Sequence, residues 1–368
     1  MVEELKFMQR AYELAENARG RCSPNPFVGA VIVKNARIIG EGWTQAYGSD
    51  HAEVQALKNC TEDCRGADMF VTLEPCSHYG KTPPCAKAVI EAGIARVFIG
   101  IEDPNPLVSG KGIRLLKEAG IEVKSGLLAK EISRQLECYL TYITKRRPFV
   151  LLKTAVSLDG RIAAEDGSSR WISCEESVKE VHKLREEADA ILTGSGTVLQ
   201  DDPLLNVRLE NPIKQPLRVI LDAHYQVPET SQIVQTAKQY PTLIFTDAAY
   251  SDPAKEQALL IAGIEICKLP AQNGFFDLKS VLDELYKRQV QFVLLETGSR
   301  LNTSFLKAGL IDKIVMFKAP KLLGGKHLAW NEIGIDNIAN ALPLKDLECK
   351  QSGIDLRVTA YPIWQSTE

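Results

Sequence analysis

The sequence predicts an α/β protein of two domains, on three observations. A chain of 368 residues is longer than one ordinary core organises. Apolar runs of strand length alternate with helical periodicity in both halves. Between the halves stands Lys145-Arg146-Arg147-Pro148, a basic helix end followed by a residue that cannot continue a helix. The expected domains are residues 1–146 and 147–368.

Residues 1–20 carry Leu5, Met8, Tyr12 and Ala15 at helical spacing, with Gly20 as the stop, and lack the pattern of an export signal. Residues 28–34 and 37–42 read as a hairpin turning at Asn35-Ala36. His51 opens a helix reaching about residue 59, and residues 69–73 form a short buried strand. Pro84 and Cys85 begin the next helix, since proline is tolerated in a first turn, and Gly93 ends it. A strand over 96–101, a helix over 113–119, a strand over 121–124 and one helix over 129–145 complete the first half. In the second half, strands are expected at 149–156, 190–193, 217–222, 242–246, 292–295 and 313–317. Helices are expected at 175–187 and about 301–308.

Composition narrows the function. Hydrophobic content of 45% and charged content of 25% suit a soluble globular protein. A net charge of −3 without a Lys/Arg block argues against a nucleic-acid surface, but leaves room for a small anionic substrate. The apolar runs are too short to cross a membrane. Nine cysteines, odd in number and irregular in spacing, suggest a reducing compartment, the cytoplasm. Cys22, Cys60, Cys64, Cys138, Cys174, Cys267 and Cys349 read as buried or incidental thiols.

The other two cysteines belong to a motif. His51-Ala52-Glu53 precedes Thr72-Leu-Glu-Pro-Cys-Ser-His-Tyr-Gly-Lys-Thr-Pro-Pro-Cys85. His51, Cys76 and Cys85 are the ligand set of a catalytic zinc site with an open fourth position. Glu53 stands close to the metal without being needed as a ligand, so it can carry the proton of an attacking water. This is the pattern of zinc base deaminases, except that eight residues rather than two separate the cysteines. The longer loop costs little entropy and adds His78 and Lys81. The alternative is a closed structural site with His78 as fourth ligand, which gives Glu53 no purpose.

Three segments of the second half concentrate residues that packing does not require: 153–161, 194–203 and 296–299. Gly194-Ser195-Gly196-Thr197 and Glu296-Thr297-Gly298-Ser299 are glycine turns between strand and helix, suited either to phosphate approach or to tight turning alone. Lys153 inside an apolar strand is either an edge-strand charge or a group facing a cleft.

Over essentially its whole length the chain resembles the bifunctional deaminase–reductases of riboflavin biosynthesis. In the first half the resemblance rests on Ser23-Pro-Asn-Pro-Phe-Val-Gly29, His51-Ala-Glu53, residues 74–85 with their long loop, and Asp103-Pro-Asn-Pro106. In the second it rests on Leu152-Lys153 with 157–161, Ser169-Arg-Trp-Ile172, 194–198 with Asp201-Asp-Pro203 and Arg208, and Ala319-Pro-Lys-Leu-Leu-Gly-Gly325. The resemblance implies a cytidine-deaminase-like three-layer α/β/α domain, then a dihydrofolate-reductase-like α/β domain. It implies removal of the 2-amino group of a phosphorylated ribosylaminopyrimidine, then NADPH-dependent reduction of the ribosyl arm to ribityl. It also implies one zinc ion per chain, no membrane partner, and a homo-oligomer, dimer or tetramer.

Carried over residue by residue, the resemblance makes His51, Cys76 and Cys85 the zinc ligands and Glu53 the proton shuttle. Asn25, His78, Lys81 and Asn105 become deaminase substrate contacts. Lys153, Ser169, Arg185, Arg208 and Glu296 become reductase substrate contacts, and Ala155, Trp171, Thr197, Asp201 and Gly298 the cofactor site. Two positions depart from the family. Thr44 stands where many members have a histidine, with Gln45 or Tyr47 as candidate replacements, and Thr297 adds a side chain to the cofactor turn. Two rival readings are a nucleotide or tRNA deaminase with an unrelated C-terminal domain, and a zinc-stabilised binding module fused to a nucleotide sensor.

Overall fold

In the computed structural model, which describes residues 2–364, the chain separates into two units, Met1–Arg147 and Pro148–Glu368. The division falls one residue beyond the expected break. Arg146 takes the left-handed conformation (φ 54°) that ends a helix, and Pro148 leads directly into a strand.

The first unit runs α1 (Val2–Ala15), β1 (Gly29–Lys34), β2 (Arg37–Trp43), α2 (Ala52–Lys58), β3 (Asp68–Leu73), α3 (Cys85–Glu91), β4 (Arg96–Ile101), α4 (Lys111–Glu118), β5 (Glu122–Ser125), α5 (Ala129–Gln135) and α6 (Glu137–Lys145). Its sheet has the order β2-β1-β3-β4-β5, with β1 antiparallel to both neighbours and β3, β4 and β5 parallel. The near-continuous apolar runs of β1, β3 and β4 follow from this position, because a central strand covered on both faces has no polar side.

Helix α1 buries Phe7, Met8, Ala11, Leu14 and Ala15, while Leu5 is 38% exposed. Two overlapping stripes share Met8 and Ala15, and Phe7 decides between them by packing 5.3 Å from Phe70. The α-helix stops at Ala15, short of the expected Gly20, and Met1 lies outside the described residues. The single helix expected over 129–145 is broken at Leu136 (φ −93°, ψ 15°). Cys60 and Cys64, expected as incidental thiols, are joined as a disulfide just beyond α2. Gly42 on β2 lets α2 lie close to the sheet: a Cβ there would stand 2.4 Å from the Ala52 carbonyl oxygen.

The second unit runs β6 (Phe149–Val156), α7 (Glu175–Glu187), β7 (Ala190–Gly194), α8 (Ser195–Asp201), β8 (Leu217–Leu221), α9 (Gln232–Gln235), β9 (Thr242–Asp247), α10 (Pro253–Ile261), β10 (Glu265–Leu269), β11 (Ala271–Gln272), β12 (Phe275–Phe276), α11 (Leu278–Lys287), β13 (Phe292–Leu295), α12 (Ser299–Lys307), β14 (Lys313–Lys318), β15 (Leu344–Ser352) and β16 (Asp355–Pro362). Nine strands form one sheet in the order β10-β9-β8-β7-β13-β6-β14-β16-β15. It is parallel from β10 through β14 and closes with the antiparallel β16 and β15.

Strand β6 lies between β13 and β14, so Lys153 is no edge-strand charge. The glycine segment 194–197, read as a turn between strand and helix, is already helical from Ser195, the first residue of α8. The terminal hairpin β15–β16 was also not expected: β15 is polar and exposed at nearly every position, and so carries no burial signature. Among the described residues, no helix is long and apolar enough to cross a membrane.

Candidate active sites

In the first unit two helix starts and a strand end converge. His51 is the extended N-cap residue of α2, Cys85 is the first residue of α3 after the N-cap Pro84, and Cys76 lies three residues beyond β3. His51 Nδ1 stands 3.3 Å from Cys85 Sγ and 3.7 Å from Cys76 Sγ, and the three donor atoms lie within 4.8 Å of one another. The Cys85 backbone N–H donates to Cys76 Sγ at 3.3 Å. One imidazole nitrogen and two sulfurs at this separation fit zinc by donor type and spacing. Hydrogen bonding from the Cys85 thiol, against the effect of burial, pulls Cys76 down, and the same contact together with burial pushes Cys85 up, so without a metal the pair shares a single thiolate centred on Cys76. Glu53, on the first turn of α2, is buried. Burial, then the neighbouring Cys76 sulfur, push its carboxyl up to about 7.

Glu74 is the organiser that sequence reasoning did not single out. Buried at the end of β3, its carboxylate accepts the backbone N–H groups of Asp103 (3.2 Å), Gly110 (3.1 Å) and Ile113 (3.1 Å). That ties the loop carrying Asn105 to the strand that leads to Cys76. Asp103 accepts the Tyr139 hydroxyl at 3.0 Å and the Asn105 backbone N–H at 2.9 Å. Asn105 in turn uses Oδ1 on the Leu107 N–H at 3.1 Å. His78 has a buried Nδ1 without a hydrogen-bond partner among the described residues, and Asn25 is half-buried in the loop before β1. Lys81 places Nζ 3.9 Å from the centre of the Tyr47 ring. Thr44 spends its hydroxyl on the Val28 N–H at 3.0 Å, and Gln45 turns back to the Trp43 carbonyl at 2.8 Å. Of the two candidate replacements for the family histidine, Tyr47 is therefore the one that reaches a loop cation.

In the second unit two adjoining cavities open beside the ends of β6, β7 and β13. One, of about 570 Å³, is lined by all ten expected reductase residues: Lys153, Ala155, Ser169, Trp171, Arg185, Thr197, Asp201, Arg208, Glu296 and Gly298. The other, of about 720 Å³, is lined by the glycine turns 194–197 and 297–300 together with His224, Gln226 and Phe275. Ser169, Thr197, Asp201 and Gly298 face both cavities, whereas Lys153, Arg185, Arg208, Glu296, Ala155 and Trp171 face only the first.

The first cavity is organised by charge. Arg185 grips Glu296 through Nε (2.6 Å) and Nη2 (3.0 Å), and Lys153 Nζ stands 3.4 Å from the same carboxylate. Burial disfavours the charged carboxylate, but Arg185 and Lys153 prevail and hold Glu296 down at about 2. The Arg208 guanidinium donates to Asn206 Oδ1 at 2.8 Å, and burial, then Arg185, push its pKa down. Asp201 accepts the Ser169 hydroxyl at 3.1 Å. The Thr297 hydroxyl is turned onto Asn302 Oδ1 at 2.5 Å. Asp159 accepts the N–H groups of Leu323 and Gly324, docking the 157–161 turn on the 319–325 run and explaining why both stood out.

Two further residues were missed. His182 lines the charged cavity, and its signal was its place three residues before Arg185 on α7. Arg218 is fully buried in β8 and holds the carbonyls of Leu204, Ile233 and Tyr240; nothing in an apolar strand announces such a role.

The comparisons agree with both halves. Residues 1–101 match the model of the cytidine and deoxycytidylate deaminase zinc-binding region, and residues 148–358 match the RibD C-terminal domain. The riboflavin biosynthesis protein RibD of Aquifex aeolicus is 42% identical, over 97% of this chain and 98% of its own length. That of Escherichia coli is 38% identical, over 95% and 97%. The solved structure of Acinetobacter baumannii RibD superposes with a TM-score of 0.89 at 37% identity, covering 98% of this chain and 99% of that one. A Thermotoga maritima structure described as a diaminohydroxyphosphoribosylaminopyrimidine deaminase/5-amino-6-(5-phosphoribosylamino)uracil reductase superposes at 0.84 with 36% identity and the same coverage. A zinc-binding deaminase half and a reductase half, in this order and over this length, place the chain in the RibD family of bifunctional riboflavin-biosynthesis enzymes, zinc-dependent deaminases joined to NADPH-dependent reductases.

Proposed function

We propose that the two units divide the work, with residues 1–147 deaminating 2,5-diamino-6-ribosylamino-4(3H)-pyrimidinone 5′-phosphate and residues 148–368 reducing its ribosyl arm to ribityl. His51, Cys76 and Cys85 hold one zinc ion per chain. Zinc supplies, when bound, a Lewis acid and a water of lowered pKa. Glu53 takes a proton from the attacking water and returns it to the departing 2-amino group, which leaves as ammonia. Asn25, His78, Lys81 and Asn105 hold the pyrimidine and its phosphate. The observation that carries this reading is the enclosed Glu53 beside three converging metal donors.

In the second unit the charged cavity takes the deaminated pyrimidine and the larger cavity the cofactor. Arg208, whose guanidinium has no carboxylate partner among the described residues, binds the substrate phosphate with Ser169. Glu296 is a fixed anion that pins Lys153 and Arg185 so that both stay aimed at the substrate. NADPH supplies the hydride, and Thr197, Asp201 and Gly298, shared by both cavities, stand where the two ligands meet; Ala155 and Trp171, which line only the charged cavity, contact the nicotinamide end of the cofactor where it reaches across to the substrate. The chain works as a homo-oligomer in the cytoplasm. The long edge strand β15, exposed at eight of nine positions and carrying Leu344 and Leu347, supports self-association.

The test follows ammonia and NADPH absorbance separately, with the diaminopyrimidinone phosphate as substrate. Ammonia is expected without NADPH, and cofactor oxidation only after deamination. Cys76→Ser is expected to lose zinc and ammonia release together. Stoichiometric zinc in a Cys76→Ser, Cys85→Ser double variant would overturn the ligand assignment.

A further inference from the structure

Helix α7 places His182 three residues before Arg185, so both side chains leave one helix face, and both line the charged cavity. His182 is only 5% exposed. Its Nδ1 accepts the backbone N–H of Arg208 at 3.1 Å. A backbone amide only donates, so Nδ1 carries no proton in this contact, and a neutral ring must carry its proton on Nε2. Nε2 has no protein partner among the described residues.

The surroundings keep the ring neutral. Burial, then Arg185 and Arg208, push its pKa down to about 4, and Lys153 acts in the same direction. Glu296 opposes them, but its charge is already taken up by Arg185 and Lys153. Another cation here would be repelled by those present, whereas a neutral imidazole adds a donor without adding charge.

We propose that the Nε2–H of His182 donates a hydrogen bond to an oxygen of the sugar-phosphate arm of the substrate, so that this residue sets substrate affinity in the reductase unit. The inference rests on the assignment of the charged cavity to the deaminated pyrimidine. Loss of a donor to such an oxygen corresponds to about a tenfold change in affinity.

The experiment crosses two variants of the full-length protein. His182→Asn keeps an acceptor where Nδ1 holds the Arg208 amide but lacks a donor at the reach of Nε2. His182→Gln keeps a donor at that reach and gives up the Arg208 contact. With deaminated pyrimidine phosphate and NADPH, His182→Asn is expected to raise KM for the pyrimidine about tenfold, with kcat and the KM for NADPH little changed. His182→Gln should stay within about threefold of the parent. A normal KM in His182→Asn overturns the proposal. So does loss in His182→Gln alone, or equal loss in both with a collapsed thermal midpoint, since either makes His182 a peg for the Arg208 backbone. Lys153→Ala measured in parallel separates the two levels of the argument. Unchanged kinetics there would sink the cavity assignment itself, whereas an impaired Lys153→Ala beside a normal His182→Asn would sink only the role of His182.

Discussion

Each proposed site holds a glutamate largely shielded from water, and the two are pushed in opposite directions. In the metal-free site the desolvation of its pocket, then the Cys76 sulfur, drive the Glu53 carboxyl up to about 7. Glu296 is somewhat more exposed, its side chain 9% accessible, and although burial pushes it up, Arg185 and Lys153 hold it down at about 2. Burial alone therefore assigns neither role; the sign of the nearest charges does. A carboxyl poised near neutrality can give and take a proton, whereas one pinned by two cations can only hold them in place. On the proposed reading the first unit uses its glutamate for chemistry and the second uses its own for architecture.

The sharpest way to break that contrast is Glu53→Gln. It should cut deamination by about 10²- to 10⁴-fold while zinc content, by metal analysis, stays stoichiometric. Oxidation of NADPH with pre-deaminated substrate should continue at the parental rate. A parallel loss of both reactions would show that the glutamate does not act locally.

Glu296→Gln probes the other side. It leaves Arg185 and Lys153 without a counter-charge in a nearly closed site, at a cost of about 3 kcal/mol of stability. The thermal midpoint of the reductase unit should fall by several degrees, with substrate KM rising alongside. The same carboxylate predicts an acid limb. Its folded pKa, about 2, lies below the ordinary 4.5. The stability it contributes is thus complete above about pH 4.5 and is lost as pH falls toward 2, a change of about 3 kcal/mol. Denaturant melts between pH 5 and 2.5 should show this slope in the parent, and the slope should flatten in Glu296→Gln.

The smallest expected effect concerns Tyr47, whose ring supports Lys81 of the cysteine loop. Tyr47→Leu removes an exposed cation–π contact of about 0.5–1 kcal/mol. It should raise the deaminase KM by up to about fivefold, leaving reductase kinetics unchanged. An unaltered KM would mean that the loop lysine is placed without the ring.

The first site was far more legible in the sequence than the second, for a physical reason. Few side chains bind zinc, so His51, Cys76 and Cys85 announce themselves by type, and local chain geometry sets two of them at helix starts. Glycine turns and scattered cations have many uses, so the second site became readable only through its family resemblance. Periodicity found the buried strands of both sheets but misphased α1, where two stripes share Met8 and Ala15 and a tertiary contact to Phe70 breaks the tie. It missed β15 because an exposed edge strand has no apolar alternation to detect.

The sequence by itself singled out the His51, Cys76 and Cys85 donor set and Glu53 beside it, and determined the alternation of strands and helices and the membership that joins a deaminase to a reductase. Only the tertiary structure decided that Lys153 sits in the middle of a sheet, that Glu296 is its partner from 143 positions away, and that Arg208 fixes the proton of His182 through a backbone amide. Ligand chemistry is a property of residue type and short spacing, which a linear text preserves. Charge state and tautomer are properties of neighbours brought together by folding, and they exist only once the chain has closed around them.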